Sequence, residues 1–246
     1  MHFVDHLFIF ILFVVQPIHG AWEFRRYVRK IEAGEPADRA KLYREAAIYE
    51  WVALAALAAT WYFLGRQTAD LGFVSPGGTG FWIGIALLVV ATGYMVYAWR
   101  AAKTMAAEDK AKQINSLGDL AHFLPQSDRD YRSFFGVSIT AGIVEEIFYR
   151  GFMFWYLAQI MPMWAVIVVS SIAFGLAHSY QGAGGILRVT AVGLAFGGLY
   201  VLSGSIWLLI IGHALVDILQ GAMVLEIYRG TTTPQYRNST TADATN

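Results

Sequence analysis

The 246-residue chain has no cysteine, and this absence excludes several kinds of site. Without thiols the protein forms neither disulfide bonds nor thiolate metal sites, and it has no cysteine nucleophile. Charged residues are also scarce, at 15%, where a soluble domain has about 25%. The 18 basic and 18 acidic residues cancel, so no overall positive field exists to attract nucleic acid. We therefore expect no nucleic-acid partner.

Apolar residues, in contrast, are abundant. They make up 57% of the chain, and the mean hydropathy is +0.47. A spanning helix needs about 20 mainly apolar residues, and seven stretches approach that length: 3–18, 47–64, 81–99, 134–158, 163–178, 186–203 and 205–225. Residues 134–158 are long for one straight crossing, so we expect a tilt or break near Gly151. The sequence predicts an all-α, polytopic transmembrane helix bundle of about seven spans, surrounded by membrane lipids.

Basic residues gather in two of the connections between these stretches. The second connection has only Arg66, whereas the first and third are rich in arginine and lysine: Arg25, Arg26, Arg29, Lys30, Arg39, Lys41 and Arg44, then Arg100, Lys103, Lys110, Lys112, Arg129 and Arg132. Positive residues favour the cytoplasmic side of a membrane. We therefore expect the first and third connections and the C-terminus inside, with the N-terminus outside.

The two ends of the chain allow more than one interpretation. The first stretch fits an uncleaved span better than a signal peptide, because no Lys or Arg precedes it. Residues 22–31 mix aromatic and basic side chains, which is typical of a helix on the membrane surface or of a solvated loop. The tail 226–246 is predicted to be disordered. Its sequon at Asn238 would lie in the cytoplasm, so we treat it as chance.

Seven ionisable groups lie within 134–225. A charge in the bilayer is costly, so such groups face the bundle interior, pair with one another and mark functional sites. Arg188 lies near the start of a span, where its side chain can reach the interface. The other six fall into three short patterns: Glu145-Glu146…Arg150, then Phe174…His178, then His213…Asp217.

Helical spacing assigns different tasks to these groups. Glu146 and Arg150 are four residues apart with the acid first, which favours an ion pair. Glu145 points about 100° away and is free to face another helix. Asp217 shares a helix face with His213, and it either orients that ring or is itself a metal ligand. A purely structural role stays open for each pattern, above all for His178, a single histidine near a span end.

Two hydrolytic chemistries use this set of side chains. Two histidines and a carboxylate are the ligands of a catalytic zinc site, here Glu145, His178 and His213, with Asp217 as a further candidate. Without zinc, Glu145 can act as general base on a water held by His178, while His213 stabilises the oxyanion. Both routes hydrolyse a peptide bond without a covalent intermediate.

In this order on successive membrane helices, the three patterns resemble the CAAX protease and bacteriocin-processing family (CPBP, or Abi), which includes relatives of CAAX prenyl protease 2. The resemblance implies an intramembrane metalloendopeptidase of a bacterial inner or plasma membrane. Its substrate would be a peptide or a lipidated protein, since eukaryotic members remove the last three residues of prenylated CAAX proteins.

The resemblance also implies residue roles. Glu145 would activate water with help from His178, His213 and residue 217 would hold the oxyanion, and Glu146 and Arg150 would support the site. Members that act on prenylated proteins have asparagine where this chain has Asp217. Because an ionised aspartate cannot donate a hydrogen bond, a metal-ligand or His213-orienting role gains weight here.

The resemblance covers only part of the chain. We divide the sequence into N-terminal spans and loops (1–133), a catalytic helix bundle (134–225) and a tail (226–246). Two other functions use the same polar groups. One is a membrane immunity or scaffold protein that keeps them for structure, and the other is a proton-coupled transporter.

Overall fold

The computed structural model of the protein describes residues 1–229. Within that range the chain forms helices and no strand. The α-helices are α1 (Phe3–Phe10), α2 (Gln16–Glu32), α3 (Arg39–Phe63), α4 (Gly78–Thr104), α5 (Ala107–Ser116), α6 (Asp128–Glu146), α7 (Met153–Leu157), α8 (Met163–Ala177), α9 (Gly182–Ser203) and α10 (Ile206–Arg229). Two π-helical segments, Ile11–Val15 and Ile147–Phe152, join α1 to α2 and α6 to α7. The predicted all-α membrane bundle is confirmed.

Five helices of the described chain are long and apolar enough to cross a membrane. They are Phe3–Glu32, α3, α4, Ser179–Ser203 and α10. The other two predicted stretches are also helical but differ in kind. At 15 residues, α8 is apolar but short, about 22 Å at 1.5 Å per residue, and α6 carries acidic residues at both ends.

The N-terminal segment is one continuous helix from Phe3 to Glu32. Residues 22–31 are therefore neither a loop nor a separate surface helix, because they prolong the first span. Phe24 and Val28 on this extension are buried, and Phe24 packs against the Tyr180 ring. At the other end α10 continues to Arg229, so residues 226–229 are helical. Residues 230–246, with the rest of the predicted tail and its sequon, lie outside the described residues.

The break expected near Gly151 is a change of helix type. Ser127 caps α6 by accepting a hydrogen bond from the Asp130 amide. The helix then passes into the π-helical segment Ile147–Phe152 directly after Glu146 and returns to α-helix at Met153. Wide π turns of this kind are frequent at functional sites. Here the wide turn lies next to the acidic pair of the first motif.

Close helix contacts build the centre of the bundle. In it, α6 packs against both α3 and α10, and α8 packs against α9. A Cβ at Gly193 of α9 would lie 3.1 Å from the Ser171 Cα of α8, and one at Gly197 would lie 3.0 Å from Ile167. Both glycines are buried. Their GxxxG spacing therefore serves contact between helices within the chain.

The N-terminal spans and the motif-bearing helices share one apolar core. Leu12 and Leu57, from the first two spans, are buried in the same cluster as Val144 and Phe174. At the end of the bundle away from the basic connections, Arg66 donates two hydrogen bonds to the fully buried Asp5, at 2.8 and 2.7 Å. This pair ties α1 to the connection between α3 and α4.

Candidate active site

Glu146 lies at the centre of a buried chain of polar groups. Its Oε1 accepts a hydrogen bond of 2.9 Å from Arg150 Nη1, so the predicted pair within the helix is present. The same oxygen lies 2.7 Å from His213 Nδ1. Glu146 and Arg150 are almost inaccessible to solvent, and His213 is buried. The Glu146 carboxylate therefore links α6 to α10.

The second nitrogen of His213 faces two further carboxylates. Its Nε2 lies 3.8 Å from Glu145 Oε2 and 3.7 Å from Asp217 Oδ2. Both distances exceed that of a direct hydrogen bond. The carboxylate that orients the ring is therefore Glu146 and not Asp217, the candidate that the helical spacing favoured.

His178 borders this cluster without a direct bond to it. Its Nδ1 lies 2.9 Å from the Phe174 carbonyl oxygen, which makes Nδ1 the protonated nitrogen and leaves Nε2 free to accept. The Phe174 ring stands edge-on to His178, with centroids 4.8 Å apart, and edge-on to His213 at 5.9 Å. Phe174 thus contacts the rings of both histidines. His178 also lies within electrostatic range of Asp217.

Arg150 is held by more than its carboxylate partner. Its guanidinium lies 4.5 Å from the centre of the Phe174 ring, and Nη2 donates to the Gly193 carbonyl at 3.3 Å. The small residue at 193 lets α9 approach closely enough for that bond. Arg150 therefore fixes α8 and α9 around Glu146, which is a supporting position and not one in contact with a substrate.

Three carboxylate oxygens near His213 are buried and have no hydrogen-bond partner among residues 1–229. They are the Oε2 atoms of Glu145, Glu146 and Glu50. Glu50 belongs to α3 and lies within electrostatic range of Glu145, His213 and Asp217. Sequence reasoning missed it, although it is the only charged residue in the apolar stretch 47–64. An acid inside a span was the signal.

Several polar residues of the motif region lie outside the cluster. Ser170 Oγ donates to the Tyr149 carbonyl at 2.8 Å and Ser171 Oγ to the Ile167 carbonyl at 2.6 Å, so both serve helix packing. Arg188 is exposed, and its Nε donates to the Gly184 carbonyl at 3.2 Å. These residues take no part in the arrangement around His213.

The metal site expected from the sequence can be compared with the arrangement of the side chains. Among residues 1–229, no three His, Asp or Glu side chains are grouped so that they hold a metal ion. His213 Nδ1 is bonded to Glu146, which leaves one nitrogen available for any other ligand or substrate. Zinc therefore stays a prediction of the sequence, and the chemistry that the cluster supports uses the protein's own groups.

That chemistry is acid–base chemistry among buried side chains. Glu145, with its side chain only 13% exposed, has an acceptor oxygen free for a proton. His213 faces the same space with Nε2 while Nδ1 is fixed by Glu146. A carboxylate and an imidazole in this relation can remove a proton from one reacting atom and stabilise charge on another.

Comparison with known proteins adds one match. Residues 129–219 match the family model described as Type II CAAX prenyl endopeptidase Rce1-like. That segment contains all three motifs, and the resemblance drawn from them is confirmed for these residues. No curated protein and no solved structure matches the chain.

Proposed function

We propose that this integral membrane protein hydrolyses a peptide bond within the bundle. Its residues 129–219 match the family model described as Type II CAAX prenyl endopeptidase Rce1-like. The observation that carries the proposal is the buried chain Arg150–Glu146–His213, with Glu145 and Asp217 on the open side of the imidazole. Burying this many ionisable groups in a membrane bundle is costly, and function is the usual reason.

In this proposal Glu145 is the general base. Its Oε2 is buried and accepts no hydrogen bond from the protein, so it is available to a water molecule. Glu146 also has an unpartnered Oε2, but it is the weaker base because Arg150 and His213 already balance its charge at Oε1. His178 supports Glu145 from the edge of the cluster, where Nε2 stays available to an incoming group because Nδ1 is occupied by the Phe174 carbonyl.

His213 stabilises the negative oxygen that forms when water attacks. For that task Nε2 must carry a proton, and because Nδ1 already donates to Glu146, His213 acts as the imidazolium. Asp217, 3.7 Å from Nε2, balances that positive charge. An ionised Asp217 cannot itself donate to the oxyanion, so its contribution is electrostatic.

Each proton of the reaction can be assigned to one of these groups. Water oxygen bonds to the peptide carbon as Glu145 takes one of its protons, and the carbonyl oxygen becomes an anion near His213. The C–N bond then breaks, and Glu145 passes the proton to the leaving amine. Glu146 and Arg150 keep His213 oriented throughout, as supporting groups do in other hydrolytic sites.

The substrate class follows from the family and the location of the site. We propose that the substrate is a lipidated protein or peptide cut close to its C-terminus, or a related membrane-associated peptide. The basic connections indicate that it approaches from the cytoplasmic side of a bacterial inner or plasma membrane. An apolar anchor on the substrate would remain in the lipid while its polar end reaches the cluster.

A cleavage assay with matched variants tests the proposal. Purified wild-type protein should release the C-terminal tripeptide from a farnesylated CAAX peptide, as detected by mass spectrometry. Glu145→Gln should reduce the rate by at least about a hundredfold with an unchanged melting temperature. Glu45→Gln, on an exposed residue of α3 that pairs only with Lys41 at 3.9 Å, should leave the rate unchanged.

Two results would reject the proposal. Wild-type protein that cuts no peptide in a prenylated and unprenylated panel would favour the immunity or scaffold alternative. Cleavage by Glu145→Gln at the wild-type rate would show that another group activates the water.

A further inference from the structure

Glu50 is a buried carboxylate that the three motifs do not include. It lies in the second membrane-spanning helix, α3, outside the segment matched by the family model. Its Oε2 is inaccessible to solvent and has no hydrogen-bond partner. Buried acceptors are normally satisfied by protein or by ordered water, so this oxygen calls for a donor.

A hydrogen bond from Trp51, the residue after Glu50, fixes the position of Glu50 along the axis of α3. Trp51 Nε1 donates to Thr140 Oγ1 at 3.1 Å, which sets the register of α3 against α6. Thr140 precedes Glu145 on α6 by five residues, or about 7.5 Å of helix rise. Since α3 packs against α6, Glu50 lies within electrostatic range of Glu145, His213 and Asp217.

Two unsatisfied acceptors therefore face the same space from different helices. Glu145 Oε2 and Glu50 Oε2 are both buried without a donor. A water molecule has two hydrogens to donate, and when they point to two carboxylates its lone pairs point elsewhere. Such a water is oriented for attack before the substrate arrives, which is how positioned groups lower a reaction barrier.

We propose that Glu50 is a further catalytic residue, whose Oε2 accepts the second hydrogen of the water that Glu145 deprotonates. This rests on the proposed function. One proton moves from water to Glu145 and later to the leaving amine. The other hydrogen stays on the attacking oxygen, which bonds to the carbonyl carbon before the C–N bond breaks. Glu50 neither gains nor loses a proton in the cycle.

Kinetics of two Glu50 variants test this assignment in the full-length protein. Glu50→Leu removes the acceptor and should lower kcat about 10- to 100-fold, the worth of one hydrogen bond to a charged group. Glu50→Gln keeps an amide oxygen that can accept, so its kcat should fall between those of Glu50→Leu and wild type. KM should stay within about twofold for both, because the contact is to water and not to the substrate.

Glu45→Gln serves as the control, and several results would contradict the assignment of Glu50. Glu45→Gln on the same helix should behave as wild type, and the melting temperature of Glu50→Leu should not fall, since Oε2 has no partner to lose. A wild-type kcat in Glu50→Leu, a loss confined to KM, or equal losses in the Leu and Gln variants would overturn the assignment. If Glu50→Leu does not fold, a wild-type kcat in Glu50→Gln overturns it, and a reduced kcat at wild-type KM supports it.

Glu145→Gln, measured in parallel, separates the two proposals. If it is inactive while Glu50→Leu retains wild-type activity, only the assignment of Glu50 fails. If Glu145→Gln itself cuts at the wild-type rate, the proposed function fails as well.

Discussion

At the scale of single residues, the proposed chemistry depends on the different partners of the two ring nitrogens of His213. Nδ1 is bonded to a carboxylate that Arg150 also holds, so the ring has one fixed orientation. Nε2 faces Glu145 and Asp217 at 3.7–3.8 Å, a space that a substrate oxygen can enter. In the proposed mechanism the buried Glu146–Arg150 pair supports the ring, and the Nε2 edge meets the substrate.

Asp217 lies where the resemblance to prenyl-protein proteases leads us to expect asparagine. In Asp217→Asn the amide loses the balancing charge but gains a donor for the oxyanion, so we expect cleavage within about tenfold of wild type. Asp217→Leu loses both and should be slower by about 10²- to 10³-fold. Measured kcat values for the two variants check this. An Asn variant as inactive as the Leu variant would show that the carboxylate itself is required, as a metal ligand would be.

Sequence reasoning predicted the residue contacts that lie within one helix and missed those between helices. The Glu146–Arg150 pair followed from its four-residue spacing. The bond from His213 to Glu146 joins residues 67 positions apart, and only the packing of α6 against α10 creates it. Glu50 was missed for the same reason, since a single acid in a span has no partner visible in the sequence.

At the scale of elements, glycine decides how closely α8 and α9 approach. A Cβ at Gly175 would lie 2.8 Å from the backbone oxygen of Ile186 and closer still to Thr190. Gly175 therefore permits a close contact between the two helices. His178 is in the same motif three residues later, so this contact also sets the height of that imidazole.

Replacement of that glycine should destabilise the protein. We expect Gly175→Ala to cost about 1–3 kcal/mol by overpacking and to lower the melting temperature measured in detergent. Gly198→Ala is the matched control, because a Cβ there has no atom within 4 Å. It should be neutral or slightly stabilising, given the helix propensity of alanine. Equal melting temperatures for the two variants would contradict the close packing.

Element boundaries were predictable where apolar periodicity was strong. All seven apolar stretches lie in helices, to within one residue at their ends. The π-helical segment after Glu146 was not predictable as such, because the sequence at Ile147–Phe152 carries no proline and is apolar apart from Arg150 and the Tyr149 hydroxyl. The packing of neighbouring helices, and not local propensity, selects that wide turn.

At the scale of the whole molecule, ion pairs link the helix ends on both sides of the bundle. On the basic side Arg229 pairs with Asp128, which brings the end of α10 to the start of α6. On the other side Arg66 binds Asp5 and lies between the rings of Trp61 and Trp155, at 4.7 and 4.4 Å. The first span is thus fastened to the bundle at its start.

The orientation in the membrane stays a prediction, and the absence of cysteine makes it easy to test. Glu35→Cys and Ser75→Cys each add a single thiol at an exposed position in the first and second connections. An impermeant maleimide should label Ser75→Cys in intact cells and Glu35→Cys only after lysis, because basic connections remain inside. The reverse pattern would place the basic end outside.

The most direct test of the account is a single turnover in H₂¹⁸O with enzyme in excess. If a water activated by Glu145 attacks the peptide bond, each newly formed carboxyl terminus carries one ¹⁸O, and no label enters the enzyme. Mass spectrometry of the product and of the peptide that contains Glu145 reads both outcomes. Label in the Glu145 side chain after the first turnover would instead reveal a covalent acyl-enzyme, and would contradict direct hydrolysis by water.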